Sequence, residues 1–258
     1  MPLPRLGFVL SQTLSRNVLM AFSVRMTLMV LALLTVTVAM AAAQEGGDGR
    51  GMSLVGLIFT SWTMWPLILL SVIGVSMGIQ RLITITPDVL VPADLADDMH
   101  AIFAEGINEE AVEEAMNAVA GDTSMLGEIL NAGLDKKDFG FESMMEAAEN
   151  TAAAEHNKYM TQINWLSLFA AIGPMLGLLG TVVGMIGAFF KMAATGGQVD
   201  AASLADDIGS AMLTTATGLL IAIPMLVLFF FLRGRVNRSA LEAGVLGAEI
   251  LDYFRPVK

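Results

Sequence analysis

Three long stretches without a charged side chain constrain this chain more than any other feature of its sequence. They are Ser53–Ile79, Trp165–Phe190 and Ile208–Leu232, each longer than twenty residues. A helix rises ~1.5 Å per residue, so each stretch can cross the ~30 Å hydrocarbon core of a bilayer. The composition agrees, with 55% hydrophobic and only 15% charged residues. The sequence therefore predicts an all-α membrane protein with three transmembrane helices.

A fourth apolar segment, Met26–Met40, is too short to span, because fifteen residues make about 22 Å of helix. It follows several arginines and runs into Ala41-Ala42-Ala43, a small-residue cleavage pattern. Residues 1–43 are therefore predicted to be a signal peptide that is cleaved after Ala43. An uncleaved short anchor is the alternative, and Met20 is an alternative start.

The basic residues predict the orientation of the spans. Given three spans, one side of the membrane contains Arg81, Lys158, Arg233, Arg235 and Arg238, and the other side contains Arg50 and Lys191. The positive-inside rule then places the mature N-terminus in the periplasm and the C-terminus in the cytoplasm, as for a multi-pass protein of the bacterial inner membrane. The predicted segments are a periplasmic N-terminus 44–52, span 53–80, cytoplasmic region 81–158, span 159–191, periplasmic loop 192–207, span 208–232 and cytoplasmic helix 233–258.

The segments assigned to the cytoplasm are predicted to be helical extensions of the spans. Asn108 can cap a helix that begins with two glutamates, and Gly121 precedes a break before a further helix. From Glu142 to Phe190 the chain is predicted to form one helix of 49 residues, about 73 Å long. A helical pattern also continues from the third span to Phe254. These extensions are expected to form a bundle, not a separately folded domain.

Catalytic chemistry has little support in the sequence. Asp94, Asp97, Asp98 and His100 contain possible metal ligands, but an acidic, solvated start of a helix explains them more simply. The chain has no cysteine and no nucleophile motif, and its net charge of −11 argues against a nucleic-acid partner. We therefore expect neither an enzyme nor a bound metal or cofactor.

Glycines recur through the second uncharged stretch, GPMLGLLGTVVGMIGAFF, at intervals of three and four residues. Gly173, Gly177, Gly180, Gly184 and Gly187 fall within about 80° of one another around the helix, and Pro174 and Thr181 lie among them. Glycine destabilises a helix interior by roughly 0.5–1 kcal/mol relative to alanine, so a regular glycine face requires another benefit. The pattern predicts close helix packing, with Gly177, Gly180, Gly184, Gly187 and Pro174 in the contact.

Hydroxyl side chains recur in the third stretch, IGSAMLTTATGLLIAIP. Ser210, Thr214 and Thr217 lie within about 60° of one another, whereas Thr215 lies about 140° from Ser210. These hydroxyls could bond to carbonyls of their own helix. Alternatively, they line a bundle interior or a water-filled path. Both interpretations remain open from the residues alone.

The two quoted stretches resemble the paired-helix signature of the MotA/TolQ/ExbB family, with ExbB and TolQ as the most similar branches. The resemblance is dense from Leu166 to Pro224, and MWPLILLSVIGVSMGIQR is similar to the first span of the family. It implies a ring, a homopentamer, around the helices of a one-span ExbD/TolR-like partner that carries a proton-binding aspartate. A TonB-like or other periplasm-spanning protein would receive the energy.

The resemblance also implies roles for individual residues. Thr181 and Thr215 correspond to pore-facing threonines, and Ser210 and Thr214 are predicted to line the pore beside them. Ser210 stands where ExbB and TolQ commonly have a glutamate, which moves the proton-carrying carboxylate to the partner. The expected function is that of an ion (proton) channel or motor subunit that converts proton-motive force into mechanical work. The alternative is a structural membrane scaffold without ion conduction.

Overall fold

The computed structural model describes residues 64–104, 106–198 and 200–256, and within these ranges the regular structure is helical, without a strand. The predicted signal peptide, the predicted periplasmic N-terminus and residues 53–63 of the first predicted span lie outside the described residues. In chain order the helices are α1 Met64–Thr84, α2 Pro87–Leu90, α3 Ala93–Ala104, α4 Glu109–Val119, α5 Met125–Leu134, a 3₁₀ turn Lys137–Phe139, α6 Phe141–Ala194 and α7 Ala201–Asp252.

Three of these helices, α1, α6 and α7, are long and apolar enough to cross a membrane. The predicted continuous helix through the second span is confirmed, because α6 runs for 54 residues, about 81 Å, without interruption. The long helix through the third span is also confirmed and ends two residues before Phe254, at Asp252. Each of these two helices contains one proline, Pro174 in α6 and Pro224 in α7. The all-α architecture with three candidate spans is therefore established.

The connection between α6 and α7 lies within the predicted loop 192–207, because α6 ends at Ala194 and α7 begins at Ala201. Gly196 and Gly197 have positive φ angles of 64° and 87°, a conformation that glycine adopts without strain and that ends a helix. The Gly197 amide donates to the Met192 carbonyl at 3.0 Å. On the other side, the Asp200 carboxylate accepts from the Ala202 amide at 3.4 Å, at the start of α7. Because α7 begins at Ala201, Asp206 and Asp207 lie within this helix.

The chain divides into two compact units, each with contributions from α6 and α7. The described part of the first unit comprises residues 64–80 and 166–228. Leu70, Ala170 and Met225 form its buried centre, where α1, α6 and α7 meet. Gly74 and Gly78 let α1 approach α7, since a Cβ on Gly78 would lie 2.5 Å from the Leu228 side chain.

The described part of the second unit comprises residues 81–165 and 229–256. Its short helices have clear start signals: Pro87 is the first residue of α2, and the Asn108 side chain accepts from the Ala111 amide, as predicted. The Ser124 hydroxyl caps α5 in the same way. Buried side chains of this unit come from the short helices and from α6 and α7, and they include Leu90, Met99, Phe103, Met125, Leu126, Ile129, Leu130, Leu134, Met144, Ile163, Leu232, Val236, Ile250 and Leu251. The short helices and the extensions of α6 and α7 therefore share one core within this unit.

Glycines also bring α5 close to α7 in the second unit. A Cβ on Gly133 would lie 2.6 Å from the Leu251 side chain, and one on Gly247 would lie 2.8 Å from Ile129. Near the end of α1, the Arg235 guanidinium donates to the Ile85 carbonyl at 3.0 Å and lies 4.7 Å from the centre of the Phe231 ring. This unit is thus fixed by tight packing together with one cationic contact to backbone carbonyls.

Candidate functional site

The glycine face of α6 packs against α7 of the same chain. Gly177 is so close to α7 that a Cβ would lie 2.8 Å from the Thr215 Cα and 2.9 Å from the Thr214 carbonyl oxygen. At Gly218 of α7, a Cβ would lie 2.5 Å from the Gly173 carbonyl oxygen. These neighbours are backbone atoms and cannot move aside as a flexible side chain can. The absence of side chains at these positions therefore permits the close crossing of the two helices.

The remaining predicted packing residues follow the same face outward. A Cβ on Gly180 would collide with the Thr214 side chain, and one on Gly184 would lie 2.6 Å from the Ala211 Cβ. Gly187 differs, because nothing lies within 4 Å of the position of its Cβ. Pro174 lies half-buried between Gly173 and Gly177 within the unbroken α6. The closest helix contact thus extends from Gly173 to Gly184 and does not include Gly187.

Two threonines of α7 bond to one carbonyl of α6. The Thr214 hydroxyl, in a residue that is 2% exposed, lies 3.1 Å from the Gly177 carbonyl oxygen and 2.6 Å from that of Ala211. The Thr215 hydroxyl donates to the same Gly177 carbonyl at 2.9 Å. Helical periodicity separated Thr215 from the other hydroxyls, but the close backbone approach at Gly177 brings both threonines to one acceptor. This acceptor was missed from the sequence, since a backbone carbonyl leaves no residue signal.

The other predicted pore-lining hydroxyls, and Thr217, bond within their own helices. Thr181 donates to the Leu178 carbonyl at 2.8 Å, Ser210 donates to the Asp207 carbonyl at 2.9 Å, and Thr217 donates to the Leu213 carbonyl at 2.8 Å. Thr181 is half-exposed in the chain, on the turn of α6 that follows Gly177. The structure therefore brings Thr214 and Thr215 together at Gly177, and it places Thr181 and Ser210 against their own backbones.

Among the described residues of the first unit, charged side chains lie at the end where α6 connects to α7. Within residues 64–80, 166–198 and 200–228 the ionisable side chains are Lys191, Asp200, Asp206 and Asp207. The Lys191 ammonium lies 2.7 Å from both carboxylate oxygens of Asp207. This ion pair was not predicted, because its partners are sixteen residues apart and meet only when the two helices turn back on each other.

A second polar group lies in the second unit, on α6. Lys158 donates to both carboxylate oxygens of Glu155 at 2.9 Å, and this hydrogen bond raises the pKa of Lys158 above its ordinary value. One residue after Glu155, the His156 Nε2 lies 2.9 Å from the Asn237 side-chain oxygen of α7. This pairing joins α6 to α7.

The acidic start of α3 shows no arrangement of metal ligands. Across the described ranges, no group of three or more His, Cys, Asp or Glu side chains is placed to hold a metal ion. His100 instead lies 3.4 Å from the Tyr253 hydroxyl near the C-terminus. Asp94, Asp97 and Asp98 all lie in α3 and are exposed, and Asp94 is in the first turn of this helix.

Replacing Asp94, Asp97 and Asp98 together by asparagine is expected to leave assembly and transport within about twofold of wild type, because exposed carboxylates at a helix start interact mainly with water. The measurement is transport activity per assembled complex. A complete loss of activity in a well-assembled variant would show that these carboxylates form a site.

Comparison with known proteins places the fold in a family. A family model described as "MotA/TolQ/ExbB proton channel family" matches residues 121–243, which include most of α6 and α7. The biopolymer transport protein exbB1 of Vibrio cholerae is 32% identical over 161 residues, which cover 62% of this chain and 70% of the relative. The chain belongs to the MotA/TolQ/ExbB family. The resemblance inferred from the glycine and hydroxyl patterns is thereby confirmed.

Further similarities extend beyond the matched region of this MotA/TolQ/ExbB-family chain. A putative ExbB-like biopolymer transport protein of Synechocystis is 28% identical over 201 residues, which cover 75% of this chain and 76% of the relative. A solved structure entitled "Structure of C. jejuni MotAB" aligns with 89% of this chain and 87% of that chain, with 16% identity and a TM-score of 0.44. With its three apolar helices, this family member is a multi-pass membrane protein of the MotA/ExbB type.

Proposed function

We propose that this protein is an inner-membrane ion channel or motor subunit that converts proton-motive force into mechanical work together with a one-span ExbD/TolR-like partner. Five copies form a ring around the partner helices, with the N-terminus of each copy periplasmic and the C-terminus cytoplasmic. A TonB-like or other periplasm-spanning protein receives the energy. Membership of the family and the three apolar helices support this proposal.

The observation that carries the proposal is the distribution of polar groups in the first unit. The apolar segments of its three helices, residues 64–80, 166–190 and 208–228, contain no ionisable side chain. Hydroxyl side chains are nevertheless present in the facing helices α6 and α7. An ion path through such surroundings needs a carboxylate from another chain to exchange protons. The hydroxyls of Thr181 and Thr215 would supply hydrogen-bond partners for water beside that carboxylate.

The apolar side chains of α6 and α7 would restrict water to this path. Met175 and Leu178 of α6 and Leu220 of α7 are exposed in the single chain and lie within the apolar segments. Such surfaces are expected to contact lipid, neighbouring copies or the partner helices. Proton exchange at one carboxylate could then change the preferred position of the partner within the ring.

A structural scaffold without ion conduction is the second candidate. One observation favours it: Thr181, Ser210, Thr214, Thr215 and Thr217 all have hydrogen-bond acceptors within the chain. Hydroxyls that only stabilise the helix pair would have the same contacts.

Ion flux through the reconstituted complex distinguishes the two functions. The chain and its one-span partner would be purified together, counted by native mass spectrometry and inserted into vesicles under a pH or sodium gradient. The channel hypothesis predicts five copies of this chain and a flux that is lost when the span aspartate of the partner is replaced by asparagine. Absence of flux in an intact complex would support the scaffold.

A further inference from the structure

The ion pair between Lys191 and Asp207 joins α6 to α7 at the end where the helices connect. Both carboxylate oxygens lie 2.7 Å from the Lys191 Nζ. The Asp207 side chain is 27% exposed, whereas the Lys191 side chain is 61% exposed. The Lys191 side chain thus lies mostly in solvent, and its ammonium contacts the carboxylate of Asp207, which is the less exposed partner.

Asp207 lies on the face of α7 that packs against α6. Ala211 and Thr214 follow it at intervals of four and three residues and are 4% and 2% exposed. The Ser210 hydroxyl donates to the Asp207 carbonyl. The carboxylate is therefore the charged outer end of a face whose next polar groups are the hydroxyls of Ser210 and Thr214.

The buried face of α6 continues from Gly184 through Ala188, which is 3% exposed, to the turn that carries Lys191. At Gly184 a Cβ would lie 2.6 Å from Ala211, whereas at Gly187 a Cβ would meet nothing within 4 Å. One turn after Ala188, a long side chain makes the contact, from the Lys191 ammonium to the Asp207 carboxylate. A contact of this kind can open by rotation of one side chain, without movement of the helix backbones.

The charges around the connection attract cations, and Lys191 opposes that attraction. Asp200, Asp206 and Asp207 provide three carboxylates against one ammonium within the described residues of the first unit. The ammonium lies on Asp207, the carboxylate that continues the hydroxyl-bearing face. It therefore both occupies this carboxylate and repels an arriving cation there.

We propose that Lys191 and Asp207 form an outer gate on the ion path, in which the lysine occupies the Asp207 carboxylate at rest and leaves it when a cation enters. This proposal rests on the proposed channel function and assigns gating residues to it. The two side chains position and admit the ion, and proton exchange remains with the partner. A pair this exposed contributes little to folding, because water screens its attraction.

The test measures ion flux per assembled complex in vesicles that contain this chain and its partner. Lys191→Met removes the ammonium and is expected to raise the initial cation flux on the order of tenfold, because the carboxylate is free to attract cations. Asp207→Asn leaves the ammonium uncompensated and is expected to lower the flux by a similar factor. Lys191→Arg retains the charge and is expected to remain near wild type.

Two further variants serve as controls. Asp206→Asn removes the adjacent exposed carboxylate and is expected to change the flux by less than about twofold, because charges in high dielectric are screened. The charge exchange of Lys191→Asp with Asp207→Lys restores the pair and is expected to return the flux toward wild type. A purely structural contact would not make the two single neutralisations change the flux in opposite directions.

The gate is refuted if Lys191→Met and Asp207→Asn change the flux in the same direction, leave it unchanged or prevent assembly of the complex. If the wild-type complex conducts no ion, the channel function fails and the gate fails with it. If the wild type conducts and all variants conduct alike, only the gate is wrong. Assembly of each variant is checked by size-exclusion chromatography before reconstitution.

Discussion

Gly177→Ala and Gly218→Ala are expected to prevent stable packing of α6 on α7. The added Cβ would lie 2.8 Å from the Thr215 Cα in the first variant and 2.5 Å from the Gly173 carbonyl oxygen in the second. Relief requires separation of two helix backbones, so we expect a loss of about 3 kcal/mol in the free energy of unfolding, at the upper end of overpacking effects. This loss exceeds the ~1 kcal/mol that alanine gains over glycine in helix propensity.

The measurement is the apparent melting temperature and the yield of folded protein in detergent. Gly209→Ala is the matched control, because it lies in α7 and a Cβ there meets nothing within 4 Å. It is expected to be as stable as wild type or slightly more stable. Equal stability of Gly177→Ala and Gly209→Ala would contradict the close crossing.

Thr215→Val combined with Thr181→Val is expected to retain the fold but lose ion flux. Valine keeps the β-branching and nearly the same volume, and interhelical hydrogen bonds in membranes average only about 0.6 kcal/mol. What is removed is one donor and one acceptor at each position, on which water beside the partner carboxylate would depend. We expect each single variant to lower the flux on the order of tenfold, equivalent to 1.4 kcal/mol in the barrier, and the double variant to lower it further.

The readout is ion flux per assembled complex, normalised to the copurified partner. Thr217→Val is the control, because Thr217 is not one of the predicted pore-lining residues, although its hydroxyl, like that of Thr181, bonds to a carbonyl of its own helix. Thr215→Ser keeps a hydroxyl and should retain much of the flux. Wild-type flux in the double valine variant would mean that these hydroxyls only stabilise the helices. The pore-lining roles of Thr181 and Thr215 would then be abandoned.

Features that depend on neighbouring residues in sequence could be predicted. Asn108 was recognised as a helix cap because its amide side chain precedes two glutamates, and its bond to the Ala111 amide is present. The course of α6 from the second unit into the second span followed from the absence of glycine and proline between Phe141 and Gly173. Pro174 did not end the helix, since freed backbone groups can be satisfied by other partners within a bundle.

Features that depend on which helix faces meet could not be predicted. The periodicity of α6 identified a glycine face but not the face of α7 that contacts it. Thr215 was separated from Ser210 by its angle, yet the missing side chain at Gly177 lets two adjacent threonines reach one carbonyl. The sequence also did not give the ends of the two helices, since α6 ends at Ala194 and α7 begins at Ala201, both within the predicted loop 192–207.

The shared acceptor at Gly177 has a consequence for sliding motion between the two helices. Thr214 has one hydroxyl proton and two acceptors, the carbonyls of Ala211 and Gly177. Rotation of this hydroxyl exchanges a bond within α7 for a bond to α6, so the number of hydrogen bonds stays constant. Thr215 holds the same α6 carbonyl in either case. The helix pair thus contains a hydroxyl proton with one acceptor on each helix, at 2.6 Å within α7 and at 3.1 Å on α6, so a small shear at the crossing can exchange its partner without leaving it unbonded.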